Sequence, residues 1–489
     1  MTRHVEVRSG EYHDSVHLMQ TSQALSTVDG VRSALVAMGT ELNVELLTGL
    51  GFDAPAVGPN DLLIAIEADG EDAVARALTD LTDSLAGHSR GGTDSAPAIE
   101  LPRTVGMALR RSDAQLVLVS VPGPSAYVEA LDALQAGRHV MVFSDNGPVE
   151  QEVALKEEGR SRGLLVMGPD CGTAIVQGVA LGFANVVRRG GVGIVAASGT
   201  GAQQVSCLLD TAGLGVSHLL GVGGRDLSTA VAGRATMQAL AALDDDPDTS
   251  RIVVVSKPAA PQVAERIGEL AAGLDTPVHL ALLGTGQPDL TTVVEKLLGA
   301  TGTPVPQWPT RRAGALPAPG PGRLFGLFAG GTLADEAMVI ASAGLGPIRS
   351  NIPLDPSLAL DPGQPHPAAG HVVLDFGDDA LTVGRPHPMI DPSLRLQALA
   401  RAAADGSTSV VLLDVVLGYG ADPDPADTLA PAIRAATGLA VVVSLCGTDA
   451  DPQRWSAQAD ALAAAGAEVY ASNAAAAARA SALVAAGLS

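Results

Sequence analysis

Short apolar runs recur along this chain, most of them leading into a turn with glycine or proline and then a helix-like stretch: "DLLIAIEA", "AQLVLVSV", "HVMVFSD", "GVGIVAAS", "RIVVVSK" and, later, "VVLLDVVLGYG". The alternation predicts parallel βαβ units, because a parallel neighbour is reached only through a long crossover, usually a helix. It sets the fold class as α/β and places ligands at the carboxyl ends of the strands, where the glycine turns also fall. At 489 residues the chain exceeds what one core supports, so several domains are expected. Aromatic residues make up only 2% of it, which leaves the cores to Ala, Val, Leu and Ile.

Two shifts in composition mark boundaries. Residues 85 to 102, "LAGHSRGGTDSAPAIELP", are polar and loop-like; residues 301 to 322, "TGTPVPQWPTRRAGALPAPGPG", are rich in proline and glycine and predict an extended linker. After the linker the strand, turn and helix pattern restarts.

The formal net charge of −23 opposes nucleic acid and anionic membrane as partners, since those surfaces need neutralising Lys and Arg. A small anion is not excluded, because backbone amides hold phosphate locally whatever the global charge. The start of the chain has no apolar signal region and no run reaches the length of a membrane span, so a cytoplasmic location is expected. Cys171, Cys207 and Cys446 are widely spaced with no CxxC pair, which fits a reducing compartment and argues against structural zinc. No metal ligands are assigned.

The stretch "GIVAASGTGAQQVSCLLDTAG", residues 193 to 213, carries the clearest chemistry. A buried strand ends at Ala197, Ser198-Gly199-Thr200-Gly201 has almost no side-chain bulk, and a helix follows. Its first N–H groups lack intrahelical partners and lie at the positive end of the helix dipole, so phosphate or carboxylate is the natural guest. A dinucleotide fingerprint fails at its third glycine, where Gln204 stands. A second turn, Gly418-Tyr419-Gly420-Ala421, also ends a buried strand, and two such turns facing one another would hold one phosphate between them.

Other candidates lie at strand ends. Lys257 would neutralise a departing phosphate. Arg385 and His387, in a loop stiffened by Pro386 and Pro388, suit carboxylate gripping and proton transfer. Asp145, Asn146 and Arg225 are candidate substrate contacts. Cys171 reads as a packing residue, and Asp375, Asp378 and Asp379 as caps and solvated charges.

In order and spacing, "VMGPDCGTAIV", "GIVAASGTGAQQ" and "LLGVGGRDLS" resemble the α subunit of succinyl-CoA synthetase, while "FAGGTLADEA", "VVLDFGDD" and "VVLLDVVLGYG" resemble the carboxyl-terminal domain of its β subunit. Together with "HDSVHLM", "FSDN", "SKP", "LDFGDDALTVGRPHPMIDP" and "GTDADPQ", they resemble the FdrA family over nearly the whole chain. The resemblance implies a small N-terminal α/β region (1–98), a Rossmann-like CoA-binding-type domain (99–187), a flavodoxin-like ligase domain of the α-subunit type (188–300), the linker (301–322) and a second flavodoxin-like ligase domain (323–489). It also implies a phosphate site built from Ser198, Gly199, Thr200 and Gly201 on one side and Gly418, Tyr419, Gly420 and Ala421 on the other.

The synthetase's Gly-His-Ala-Gly loop has no histidine at the matching "LLGTGQPDL", and its orienting acidic residue is replaced by Ser256-Lys257. With no nucleotide-grasping domain either, the expected activity is carbamoyl or acyl transfer from carbamoyl phosphate or a related phosphorylated small molecule, as an FdrA-like subunit resembling oxamate carbamoyltransferase in purine and allantoin breakdown. The alternatives are an acyl-CoA synthetase that binds CoA and a non-catalytic metabolite-binding scaffold. A homo-oligomer or a complex with other subunits is expected in each case.

Overall fold

The computed structural model describes all residues except 1, 12, 14, 54, 59, 90–101, 103, 315, 318–319, 361–369, 383–385 and 489. Two compact units divide the chain: residues 1–112 with 382–386, and residues 113–381 with 387–489.

In the first unit the strands Thr2–Arg8, Leu62–Ala68 and Val31–Met38 form, in that order, an antiparallel sheet. Leu62, Ile64 and Ile66 point to one face, against Leu18 and Leu25 of the helix Ser15–Ser26 and Ala77 and Leu81 of the helix Glu71–Ser89. Leu63 and Ala65 point to the other, against Leu47 and Phe52. The alternation of apolar and polar runs predicts parallel pairing here, and the structure corrects it. The short helix Glu41–Gly49, which carries Leu47, covers the second face, so the returning strand runs back against its predecessor.

The second unit holds three sheets among its described residues. Leu116–Val119, His139–Val142 and Val166–Met167 form a small parallel sheet. A six-stranded sheet runs Val278–Leu282, Arg251–Ser256, Arg189–Ala197, Val216–Gly221, Thr173–Val176, Val179–Gly182, with the last two strands joined antiparallel at its edge. A seven-stranded sheet runs Thr310–Arg312, Glu468–Tyr470, Ala440–Cys446, Thr408–Val416, Arg323–Phe328, His371–Asp375, Ile348–Ser350. Its central strands are buried along their whole length, as parallel strands covered by helices on both faces must be. The proline-rich stretch expected to be a linker contributes Thr310–Arg312, antiparallel to Glu468–Tyr470. Prolines are tolerated beside an edge strand because one row of its amides needs no partner.

Helix Gly199–Thr211 lies between the two larger sheets and is buried from Gly201 to Leu209. The glutamines that break its apolar pattern bond across that junction: the Gln203 amide donates to the Leu417 carbonyl at 3.3 Å as well as to Asn185 Oδ1 at 3.0 Å, and the Gln204 amide donates to the Ala471 carbonyl at 2.9 Å. Asn185 donates in turn to the Leu417 carbonyl and to Asp451.

A buried ionic network joins the small sheet to the six-stranded one. Lys156, on the helix Val149–Ser161, donates to Glu152 at 2.7 Å, Asp226 at 2.8 Å and the Val222 carbonyl at 2.9 Å. Asp226 also accepts from the Ala235 and Thr236 amides and so caps the helix Arg234–Asp244. Removing the ammonium leaves two buried carboxylates without their shared partner. Lys156→Met is therefore expected to cost about 3–5 kcal/mol, read as a lower urea midpoint; a loss below about 1 kcal/mol would show that the network contributes little.

Candidate active site

The N-termini of two helices meet at the carboxyl ends of the two larger sheets. Ser198 caps the Gly199 helix, its Oγ accepting from the Gly201 amide at 2.9 Å. The helix Gly331–Leu345 begins after Gly330, which has no side-chain cap. The Ser198 and Thr332 hydroxyls bond to each other at 2.6 Å. The packing at these glycines is close: a Cβ on Gly330 would lie 2.5 Å from Thr200 Oγ1, and one on Gly331 would lie 2.7 Å from both Lys257 Nζ and Asp375 Oδ2, whose side-chain ends would have to move. The first amides of each helix have no intrahelical acceptor. What these two ends share is positive polarity, with Ser198 taking the Gly201 amide of the first.

Lys257, at the end of the strand Arg251–Ser256, brings a cation to the same place. Burial pulls its ammonium down, but the carboxylates of Asp375, Asp335, Asp170 and Asp378 outweigh that and hold it above the ordinary lysine value. Asp335 and Asp375 are 5% and 3% exposed. Burial pushes Asp335 up to about 7, against the pull of Lys257, and pushes Asp375 up to about 6. Asp414 holds the turn itself, accepting from the Ala329 and Gly330 amides at 2.7 and 3.0 Å. Arg395 pairs with Asp414 at 3.0 Å and donates to the Pro388 carbonyl at 3.2 Å, tying the turn to the loop that carries His387.

The sequence candidates fall into two groups. Ser198, Gly199, Thr200, Gly201, Lys257 and His387 lie about the two helix ends. His387 Nε2 comes within 3.0 Å of the Cβ position of Gly377, which lies 3.1 Å from Asp375 Oδ1. Asp145 lines a cavity at the ends of the small sheet, with Tyr127, Ser144, Gly147 and Gln151. Asn146 follows it with φ 56°, and Arg225 pairs there with Glu152 at 3.0 Å and donates to the Gly147 carbonyl at 2.9 Å. Phe143 and Phe183 connect the groups: their ring centroids are 5.8 Å apart, and Phe183 is again 5.8 Å from His387. Arg385 lies outside the described residues.

The turn Gly418 to Ala421 spends its first two amides on protein partners. Gly418 N donates to Gln453 Oε1 at 3.1 Å and Tyr419 N donates to the Ala184 carbonyl at 2.9 Å. Gly418 and Gly420 have φ of 116° and 81°, and a Cβ on either would meet Ala184 O or the Phe183 ring within 2.9 Å. Tyr419 is exposed and Ala421 buried. The turn's next helix, Pro425–Ala435, begins only after Asp424. The helix end opposite Ser198 is that of Gly331, in the "FAGGTLADEA" stretch, whose paired glycines directly after a buried strand were the available signal. Cys171 is buried, and desolvation pushes its thiol up to about 12, as suits packing rather than nucleophilic attack.

Two family models match the chain. A model described as CoA-ligase matches residues 327–483, and one described as AllF, heavy metal-associated domain, matches residues 1–99. Escherichia coli YahF is 37% identical over 484 residues, 92% of each chain. The chain belongs to the YahF family. This YahF-family chain is also similar to the ADP-forming succinate–CoA ligase subunit alpha 2 of Archaeoglobus fulgidus, 31% identical over 172 residues that cover 34% of the chain and 58% of that subunit. The corresponding alpha subunit of Aquifex aeolicus is 27% identical over 214 residues, 42% of the chain and 69% of that subunit. These place it in the succinyl-CoA synthetase-like superfamily. They match the acyl-CoA synthetase alternative; none of these descriptions carries carbamoyl transfer.

The heavy-metal label on residues 1–99 does not fit the residues present. That segment contains no cysteine, the ligand soft metals select, and among the described residues no group of three or more His, Cys, Asp or Glu is arranged to hold an ion. Among the described residues, no helix is long and apolar enough to cross a membrane.

Burial, and then the charge of Arg395, pushes the His387 imidazole down to about 4 from its ordinary 6.5. The unfolded chain takes this proton first as pH falls, so stability present above pH 6.5 is lost towards 4. A ¹⁵N titration is expected to keep His387 neutral down to about 4; a midpoint near 6.5 would place the ring in solvent.

Proposed function

We propose that this chain binds an acyl phosphate between the N-termini of the Gly199 and Gly331 helices and transfers its acyl group to an acceptor, as a CoA-ligase-like enzyme. The observation that carries this reading is the convergence of the Gly331 helix N-terminus, which has no side-chain cap, and the Gly199 helix N-terminus, of which Ser198 takes the Gly201 amide, with the Lys257 ammonium packed against Gly331. In the step itself, the bond between the acyl carbon and the phosphate oxygen breaks. A new bond forms from that carbon to the acceptor sulfur or nitrogen, phosphate departs with the electron pair, and the acceptor's proton is released. Oriented amides and Lys257 stabilise the departing phosphate, at no cost in reorganisation when the reaction occurs.

Similarity to succinate–CoA ligase subunits supports CoA as the acceptor, with the cavity beside Asp145, Asn146 and Arg225 as its place and the Phe143–Phe183–His387 row leading to the phosphate. Carbamoyl phosphate, with assignment to the FdrA family, remains the finer form of the proposal and rests on the motifs quoted above. Like the alpha subunits it resembles, the chain would act with further subunits or with copies of itself.

Calorimetric titration with inorganic phosphate, acetyl phosphate, carbamoyl phosphate and CoA tests this. Phosphate is expected to bind, and to weaken at least about tenfold, or ~1.4 kcal/mol, in Lys257→Met and in Gly331→Val. Unchanged affinity in both variants would overturn the site. Heat from CoA with acetyl phosphate turnover would favour the CoA-dependent form; carbamoyl phosphate binding without CoA heat would favour carbamoyl transfer.

A further inference from the structure

Asp335 lies one helical turn after Gly331, on the same face of the helix. That face is overlaid by Lys257 Nζ and Asp375 Oδ2, each 2.7 Å from the Cβ position of Gly331. Asp335 is 5% exposed, yet among the described residues its carboxylate makes no hydrogen bond and no ion pair within 4.0 Å. Lys257 likewise has no ion pair within 4.0 Å among them. Of the nearby carboxylates, Asp375 is engaged through Oδ1 with the Gly377 amide at 2.9 Å, and Asp414, beside Asp375, is engaged with two amides and Arg395. A little-exposed carboxylate that no described group holds, with its oxygens still open to solvent beside a cation and two helix ends, points to a ligand that meets it there.

We propose that Asp335 is the proton-accepting group of this site: a dianionic phosphoryl ligand bound between the two helix ends puts one solvent proton on the Asp335 carboxylate, which then donates a hydrogen bond to a ligand oxygen. The inference rests on the phosphoryl-binding reading above. An ionised Asp335 would repel the dianion across the same small space that Lys257 neutralises only in part. Protonation removes the repulsion and converts an acceptor into the donor that phosphate oxygens require. The charged groups that act on Asp335 are Lys257 from the end of its strand and Asp375 from the end of another, and Lys257 itself also feels Asp170 and Asp378. Glu336, next on the helix, is turned away to Asn473 and the Leu290 amide. Burial already brings Asp335 up to about 7, so an arriving anion completes the protonation at slightly alkaline pH.

Sulfate is a suitable probe, since it is a dianion that does not itself titrate in this range. Its binding heat, measured in two buffers of different ionisation enthalpy, reads the protons taken up. At about pH 8 the wild-type chain is expected to take up close to one proton per sulfate, falling towards zero at about pH 5.5, where the free carboxyl is already protonated. Asp335→Asn is expected to bind sulfate at least as tightly with that uptake abolished, while Asp375→Asn keeps most of it. Thermal unfolding of each variant checks that it is folded. Sulfate binding without proton uptake in the wild type, or uptake retained in Asp335→Asn, overturns the assignment while leaving the phosphoryl site standing. Failure of the wild type to bind either sulfate or phosphate overturns both.

Discussion

Two helix N-termini brought to hydroxyl contact set the terms for the rest of the second unit. Each end carries a partial positive charge of roughly half an elementary unit, and ends of like sign repel unless negative charge lies between or behind them. The fold holds them together through the Ser198–Thr332 bond and through the burial of the Gly199 helix between two sheets. The glutamines of that helix bond into the seven-stranded domain, so it cannot withdraw without stranding buried amides. Bare glycine at positions 330 and 331 is what permits the approach, since a methyl group at either would occupy the space the charges share.

The negative charge that offsets this arrangement is graded. Asp414 is fully engaged, with two amides and Arg395, and its work is to fix the turn before Gly331. Asp375 is half engaged, with one oxygen on the Gly377 amide and the other directed to the Gly331 position. Asp335 feels Lys257 and Asp375 but makes no hydrogen bond or ion pair within 4.0 Å with any described residue. A scaffold needs carboxylates of the first kind and a binding site needs those of the last, so the gradient runs from structure to chemistry within a single cluster. The burial that raises all three toward the neutral form makes the least-committed one the most responsive to a bound anion.

Local features were legible in the amino-acid sequence. The strand into Ser198-Gly199-Thr200-Gly201, the strand-end position of Lys257 and the packing role of Cys171 depend on neighbours in the chain, and pattern reads neighbours well. The Gly418 turn reads as an anion cradle for the same reason, because glycine after a buried strand has the same appearance whether it admits a ligand or another backbone. Here it faces Ala184 and Phe183, more than 230 residues away in sequence. Asp335 carries no signal of its own, since an acidic residue in the second turn of a helix is ordinary until Lys257 and Asp375 are seen above it. Arg395 and Asp414 are 19 residues apart and meet only through the sheet. The edge strand Thr310–Arg312 is hidden by its prolines, whose cost is small where no further strand follows.

The environment of His387 bears on which chemistry this site can run. Its Nδ1 accepts a hydrogen bond from the Met389 amide at 3.3 Å, which assigns the proton of the neutral ring to Nε2. That Nε2–H lies towards Gly377 and Asp375. A phosphoryl group carried on a histidine needs a ring-nitrogen lone pair directed at phosphorus, with the other nitrogen's proton held by an acceptor. The backbone amide of Met389 enforces the opposite tautomer: it presents a donor to the site and occupies the lone pair that remains. His387 is therefore equipped to hydrogen-bond a carbonyl or phosphate oxygen and poorly equipped to attack phosphorus. On the proposed function, this geometry favours direct transfer from an acyl phosphate over a phosphorylated enzyme, and would leave to Lys257 and the helix amides the charge stabilisation that a covalent intermediate would otherwise share.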